Sequence, residues 1–184
     1  DRCTLEIMRG CPRGCRFCQA GFAMRPVRER KAQTVRDTAR SVIESTGYDE
    51  ISLSSLSSGD YSQIDELVGG LVDEFSAQRV SVSLPSLRVD SFEKDLAAGL
   101  QQVRKTGLTF APEAGTQRLR DVINKNITQE MIMKTVVRAF ESGVSTVKLY
   151  FMIGLPTETY DDLTGIANLV REIREAFYSV PREK

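Results

Sequence analysis

Glu50-Ile51-Ser52-Leu53-Ser54, followed by Ile64, Leu67, Val68, Leu71, Val72 and Phe75, decides the fold class. Alternation over the first five residues has the period of a half-buried strand. The second set recurs at i, i+3, i+4, i+7, i+8 and i+11, one apolar stripe of an α-helix. This order of strand, loop and helix repeats outward in both directions. Cys3–Met8, Val80–Leu84, Leu108–Ala111 and Thr146–Ile153 read as further strands. A second stripe joins Leu163, Ile166, Ala167, Val170, Ile173 and Phe177. Thr34 with Asp37 and Thr159 with Asp162 are capping-box pairs that open helices, and Gly47 and Gly143 stand where helices stop. Strand–helix alternation demands parallel pairing, hence an α/β sheet or barrel.

Separating the two faces of each strand narrows the choice. Leu5/Ile7, Ile51/Leu53, Val80/Val82/Leu84, Leu108/Phe110 and Val147/Leu149/Phe151 share one parity. The other carries Thr4/Glu6, Ser52/Ser54, Ser81/Ser83, Thr109 and Lys148/Tyr150. A flat parallel sheet between helices is apolar on both faces. The expectation is therefore a partial parallel (β/α) barrel of about five to six β/α units, with a polar concave face and helices outside. The alternative is that the small Ser and Thr side chains merely back-bond in a packed centre. Ligands of such folds bind in the loops after the strands, here Arg9–Lys31, Leu56–Ser62, Pro85–Asp90, Pro112–Thr116 and Gly154–Thr159. No linker or repeat interrupts the pattern, so residues 1–184 read as one domain.

Composition bounds the chemistry. With 41% hydrophobic and 27% charged residues, the 184-residue chain can bury a core and is not disordered. Equal counts, 25 Lys+Arg and 25 Asp+Glu, give no overall attraction to nucleic acid or anionic membrane. The absence of His removes the Ser–His and Cys–His nucleophile systems and any imidazole ligand or base. No apolar run is long enough to span a bilayer. The start, Asp1-Arg2-Cys3-Thr4, is no signal peptide and lacks Met, so it is expected to mark a piece of a longer polypeptide. Four Cys, three of them within eight positions, fit metal ligands in a reducing cytoplasm rather than a disulfide scaffold.

Those three lie in Gly10-Cys11-Pro12-Arg13-Gly14-Cys15-Arg16-Phe17-Cys18. Soft thiolates at C-x3-C-x2-C spacing select zinc, Cu(I) or an iron–sulfur cluster. A structural zinc wants four closed ligands. The remaining thiol, Cys3, has the parity of Leu5 and Ile7 and reads as a small buried hydrophobe. Three ligands without a fourth point to a [4Fe–4S] cluster with one open iron, its charge offset by Arg13, Arg16 and backbone N–H groups. The competing reading is a non-catalytic module in which the metal only pins the loop.

The loop, with Phe17 before its third Cys, resembles the signature of the radical SAM superfamily, and the later loops match in order. The resemblance implies a [4Fe–4S] cluster on Cys11, Cys15 and Cys18, and S-adenosylmethionine bound beside Phe17. Ser57-Ser58-Gly59-Asp60 resembles the Gly-Gly-Glu-like segment that holds the cofactor's amino group, with Ser for Gly and Asp for Glu. Ser86-Leu87-Arg88 resembles the stretch near the methionine carboxylate or ribose, so Ser86 and Arg88 are implied contacts. Glu113-Ala114-Gly115-Thr116 is similar to the Glu-Ser-Gly-Ser segment, whose Glu reaches the cofactor. Ile153-Gly154-Leu155-Pro156 resembles the motif whose backbone receives the adenine. More narrowly, Leu5–Arg30 and Leu108–Asn126 resemble an uncharacterised group often fused to a cobalamin-binding domain. That implies a longer parent protein, possible cobalamin dependence, and a last strand missing here.

The implied reaction is reductive cleavage of S-adenosylmethionine to a 5′-deoxyadenosyl radical that abstracts hydrogen from a substrate. An electron donor, flavodoxin or ferredoxin, is the implied partner, beside neighbouring domains of the parent chain. RNA or protein methylthiolation or methylation is the alternative within the superfamily. Seven basic residues between Arg9 and Lys31, against Glu29, read as a dock for an acidic reductant, as contacts to RNA phosphates, or as a solvated rim on a neighbouring domain. Glu6, Lys148 and Tyr150 are expected to face the interior, to orient substrate or pair with one another. Lys125 and Lys134 are expected on exposed helical faces without function.

Overall fold

The computed structural model describes residues 1–84 and 108–180; Ser86, Arg88 and the expected Pro85–Asp90 loop lie outside them. The described residues form two compact units, one from residues 1–13 and 19–84, the other from residues 14–18 and 108–180.

In the first unit β1 (Arg2–Glu6), β4 (Glu50–Ser54) and β5 (Ser81–Ser83) form a parallel sheet in the order β1-β4-β5. The register sets Cys3 beside Ile51, Leu5 beside Leu53, and Ile51 beside Val82. The expected apolar parity is the buried one. Helix α3 (Ile64–Phe75) buries Leu67, Val68, Leu71, Val72 and Phe75, the stripe its sequence spells out. Helix α2 (Ala32–Thr46) packs on β1 and α3 through Ala32, Val35, Ala39 and Ile43, and ends at Gly47 in the left-handed region (φ 69°). Its start corrects the sequence reading. Thr34 and Asp37 do not cap it; Lys31 is the N-cap residue, and the Ala32 N–H donates to Gln63 Oε1 at 3.2 Å. An orphan helix donor is thus satisfied by a residue distant in sequence.

The polar parity is corrected in part. Ser52 and Ser81 are buried, and Ser81 Oγ donates back to the Asp49 carbonyl at 3.3 Å, as in the packed-centre alternative. The strand expected over Cys3–Met8 also divides. The Ile7 N–H still donates to the Ser54 carbonyl (3.0 Å), but its own carbonyl accepts from Arg30 N–H (2.9 Å). The chain thereby exchanges β4 for a new partner, and β2 (Met8–Arg9) pairs antiparallel with β3 (Arg28–Glu29). This short ladder closes the base of the cysteine loop, which also holds a single helical turn, α1 (Ala20–Ala23).

The second unit pairs β6 (Leu108–Glu113) and β7 (Val147–Phe151) in parallel, with α4 (Gln117–Val122), α5 (Gln129–Glu141) and α6 (Tyr160–Ser179). Thr159 and Asp162 form the expected capping box of α6. The buried face of α6 is turned from the expected stripe, of which Ile173 is buried and Leu163, Ile166 and Phe177 are half-buried. Asp162, Gly165, Leu169 and Ile173 are buried, whereas Ala167 is exposed and Val170 is 46% exposed. The rotation comes from a backbone contact: a Cβ on Gly115 would meet Ile166 N at 2.2 Å and Gly165 C at 2.4 Å. Only two glycines let α6 approach the β6–α4 loop this closely. Parallel strands joined through helices give the expected α/β class. No helix among the described residues is long and apolar enough to cross a membrane.

Candidate cofactor site

The cysteine loop leaves β2 at Gly10, whose φ of +88° and lack of Cβ are both needed. A Cβ there would lie 2.3 Å from the Met24 carbonyl oxygen. Cys11 follows, half-buried, in the first unit. Cys15, buried, and Cys18, half-buried, belong to the second unit, where the Cys18 N–H donates to the Cys15 carbonyl at 3.0 Å. All four cysteines are free thiols. Cys3 is 4% exposed in the core, as its parity predicts, and burial pushes its thiol pKa up. Among the described residues no three Cys, Asp or Glu side chains converge as a metal cage. The fit to an iron–sulfur cluster therefore rests on donor chemistry: three free soft thiols and no imidazole.

In the first unit the Ser57–Asp60 segment is bonded to the cysteine loop. Arg13 Nε donates to Asp60 Oδ2 at 2.8 Å, Arg13 Nη2 to Asp60 Oδ1, and Ser57 Oγ to Oδ2 at 2.8 Å. Ser58 is fully buried, with its hydroxyl 3.0 Å from that of Ser55. Asp60 thus holds a cation already, as expected of a carboxylate that recognises an ammonium group, but here that cation is Arg13. Arg16 is likewise engaged, donating to the Val122 carbonyl, so neither arginine is simply a counter-charge to the loop.

The second unit grips residues 14–18 from the turn after α4. The Arg16 N–H donates to the Ile123 carbonyl at 2.9 Å, and Asn124 Nδ2 to the Gly14 carbonyl at 2.7 Å. Lys125 follows, and it overturns the expectation of an exposed, idle side chain. It is 8% exposed, ion-paired with Glu113 Oε1 at 3.1 Å, and its Nζ lies 5.7 Å from the centroid of Phe17. Glu113 itself has a φ of 68°, rare for a residue with a side chain, which re-aims it where the β6–β7 register shifts. Phe17 and Glu113, both implied cofactor contacts, are thereby joined with Lys125 in one cluster. Lys125→Met should destabilise the protein by about 3 kcal/mol in urea unfolding, because it strands a mostly buried carboxylate. Glu113→Gln with Lys125→Met should cost less than the two single changes summed; strict additivity would dissolve the pair as a coupled unit.

Beneath this cluster lies a residue that no local signal marks. Arg120 is fully buried, with its guanidinium shared among the carbonyls of Ile127, Ala114 and Gly115 (3.1 Å each) and the side chains of Gln117 (3.2 Å) and Gln129 (3.0 Å). Burial lowers its pKa. It fixes the Glu113–Thr116 loop from below.

Asp162 fixes the same loop from the side. Thr116 Oγ1 donates to Asp162 Oδ1 and Arg118 Nη2 to Oδ2, while Thr159 N–H and Oγ1 donate to Oδ2 at 2.8 Å each. The Thr116 hydroxyl first, then Arg118 and Thr159, hold this carboxyl far below the usual carboxylate range. A pKa depressed on folding contributes stability that is complete above the unfolded value, roughly 3.9 for Asp. That stability is lost as pH falls from there toward the folded value. Asp162→Asn should therefore flatten the loss of stability below roughly pH 4 in urea midpoints measured against pH. An acid limb as steep as that of the parent protein would assign the loss to other carboxylates.

Of the remaining expected residues, Ile153 is 76% exposed and Gly154, also exposed, donates its N–H to Glu158 Oε2 at 2.7 Å. Lys148 and Tyr150 are exposed. Glu6 is paired with Arg9, Nε to Oε2 at 2.7 Å.

Comparison with known proteins follows the same residues. A model of the radical SAM superfamily matches residues 5–170. An uncharacterized protein of Methanocaldococcus jannaschii is 39% identical over 176 residues, 96% of this chain and 38% of that protein. The tRNA-2-methylthio-N(6)-dimethylallyladenosine synthase of Chlorobium phaeobacteroides is 25% identical over 185 residues, 94% of this chain and 40% of that one. Among solved structures, the radical S-adenosylmethionine methyltransferase TsrM of Kitasatospora setae superposes with a TM-score of 0.77 at 15% identity, over 94% of this chain and 34% of that one. The cobalamin-dependent S-adenosylmethionine radical enzyme OxsB does so with a TM-score of 0.73 at 14% identity, over 90% and 26%. At such identities the likeness is one of fold. The chain spans about two fifths of the length of these curated relatives.

Proposed function

Because the chain belongs to the radical SAM superfamily, whose members use a [4Fe–4S] cluster and S-adenosylmethionine, we propose that it is the catalytic core of a radical SAM enzyme. The observation that carries this is the family match running through a loop with three free thiols and no imidazole anywhere in the chain. In this reading Cys11, Cys15 and Cys18 hold the cluster. When bound, the cluster supplies the electron that cleaves S-adenosylmethionine to methionine and a hydrogen-abstracting 5′-deoxyadenosyl radical.

The protein's own residues bind and orient. Asp60 takes the cofactor's ammonium group, with Ser58 and Gly59 shaping the turn around it, and Arg13 releases Asp60 as this happens. Phe17 and Glu113 line the cofactor, and Lys125 holds Glu113 in place until then. The Ile153–Gly154 backbone receives the adenine, for which its exposure leaves room. Ser86 and Arg88 reach the carboxylate or ribose. The parallel sheets belong to a partial barrel that excludes water around the radical.

Residues 1–184 serve as one core domain of a longer enzyme. The fold of TsrM and OxsB supports a cobalamin-binding domain elsewhere in it. Its electron donor is a flavodoxin or ferredoxin. The 25% identity to a tRNA methylthiolating enzyme favours, as a second reading, methylthio transfer to RNA. Anaerobic reconstitution of the full-length protein should yield 5′-deoxyadenosine and methionine from S-adenosylmethionine under reduction. An intact cluster that yields neither would reduce the chain to a metal-binding module.

A further inference from the structure

Seven basic side chains lie between Arg9 and Lys31, and the fold engages four of them. Arg9 pairs with Glu6, Arg13 with Asp60, Arg16 with the Val122 carbonyl, and Arg25 with the Gly21 carbonyl at 2.6 Å. Arg28 and Arg30 are exposed, and neither guanidinium has a hydrogen-bond or ion-pair partner among the described residues. Their placement is costly. The β2–β3 register sets Arg9 directly opposite Arg28, and like charges facing each other destabilise a ladder. A two-residue ladder has little stability to spare for such a pair.

A cavity of about 260 Å3 opens at this point, lined by Glu6, Met8, Arg9, Arg28, Glu29 and Arg30. Glu29 offsets one of these charges, but its two oxygens already accept the Ser62 N–H at 2.9 Å and the Ser62 hydroxyl. The cavity wall therefore carries three guanidinium groups against two carboxylates, Glu6 bonded to Arg9 and Glu29 to Ser62, with buried Met8 behind.

We propose that this cavity binds a phosphate group. Guanidinium forks match phosphate oxygens in pairs, and an anion between Arg9 and Arg28 turns their repulsion into a clamp. Three guanidinium groups against Glu6 and Glu29 leave one net positive charge, and Arg28 and Arg30, which have no partner among the described residues, supply the donor forks for the anion. A volume of about 260 Å3 is ample for one phosphate group. The site lies where β1 ends, the edge at which this class of fold presents its ligands.

The test is calorimetric titration of the full-length protein with inorganic phosphate at constant ionic strength. Saturable binding is expected, weakened about tenfold or more by Arg28→Gln with Arg30→Gln, since each charge-assisted bond is worth roughly that factor. Both positions are exposed, so the variant should fold, which circular dichroism verifies. Glu6→Gln frees Arg9 and should tighten binding. Ribose 5-phosphate and an oligouridylate, titrated in parallel, distinguish a phosphorylated small molecule from a nucleic-acid backbone as the source. Heats equal to those of chloride, or binding indifferent to the double substitution, would overturn the site. The same titration with Cys18→Ala should be unchanged, so this site and the cluster reading fail independently.

Discussion

Cys15→Ala should reduce both the absorbance of the reconstituted cluster and the release of 5′-deoxyadenosine to background. Donor chemistry gives the reason. The chain has four thiols and no histidine, so Cys3 is the one other thiol and no imidazole can take over a vacated position. Cys3 cannot substitute, because it is 4% exposed on β1 within the core and burial favours its protonated form. Cys15 is itself the most buried of the loop cysteines and lies in the segment that Ile123 and Asn124 hold by hydrogen bonds. The loop backbone should thus persist in the variant, so that loss of the cluster reports the missing sulfur rather than a misfolded loop. Cys3→Ala is the matched control. It should keep full absorbance and turnover while losing about 1 kcal/mol of stability as a small core truncation. Retained S-adenosylmethionine cleavage in Cys15→Ala would sink the assignment of the three ligands.

Gly115→Ala should be strongly destabilising for a change of one methyl group, costing roughly 3 kcal/mol or more in urea unfolding. The added Cβ would stand 2.2 Å from Ile166 N, 2.4 Å from Gly165 C and 2.8 Å from the Asp162 carbonyl oxygen. All three are backbone atoms of α6, so no rotamer change relieves the contact; the helix must move. Moving it pulls Asp162 away from Thr116 and Arg118, so packing and hydrogen bonding fail together. Gly69→Ala provides the opposite sign. Gly69 lies within α3, and a Cβ added to it would meet nothing within 4 Å. Replacing a helical glycine in such open space should add up to about 1 kcal/mol. Equal effects of the two changes would contradict the close approach of α6.

What was legible in the sequence was what repeats locally. The α3 stripe, the parity of β1 and β4, the Thr159–Asp162 box and the burial of Cys3 all follow from periodicity or from neighbours a few positions apart. The misreadings share a different cause, which is competition from residues far along the chain. Gln63 caps α2 in place of Thr34, Gly115 turns α6 so that Leu169 rather than Val170 faces inward, and Glu113 draws Lys125 out of solvent. Arg120 is a different case, since a charged residue in an amphipathic helix reads as solvated until its five acceptors, in its own helix and in the segments on either side of it, are seen around it. The candidate site was legible as a set of loops, through the cysteine spacing and the order of motifs. The bonds Asp60 makes with Arg13, and Glu113 with Lys125, were not, because neither partner is near the other in sequence.

Asp162 has a further consequence. Its two oxygens gather donors from the start of α4, through Thr116 and Arg118, and from the start of α6, through Thr159. Helix ends ordinarily fray separately, each at its own small free energy. Here neither end can unwind without leaving a carboxylate stripped of its partners against the other. The two starts therefore open together or not at all, which makes one cooperative unit of local unfolding from segments more than forty positions apart in the chain.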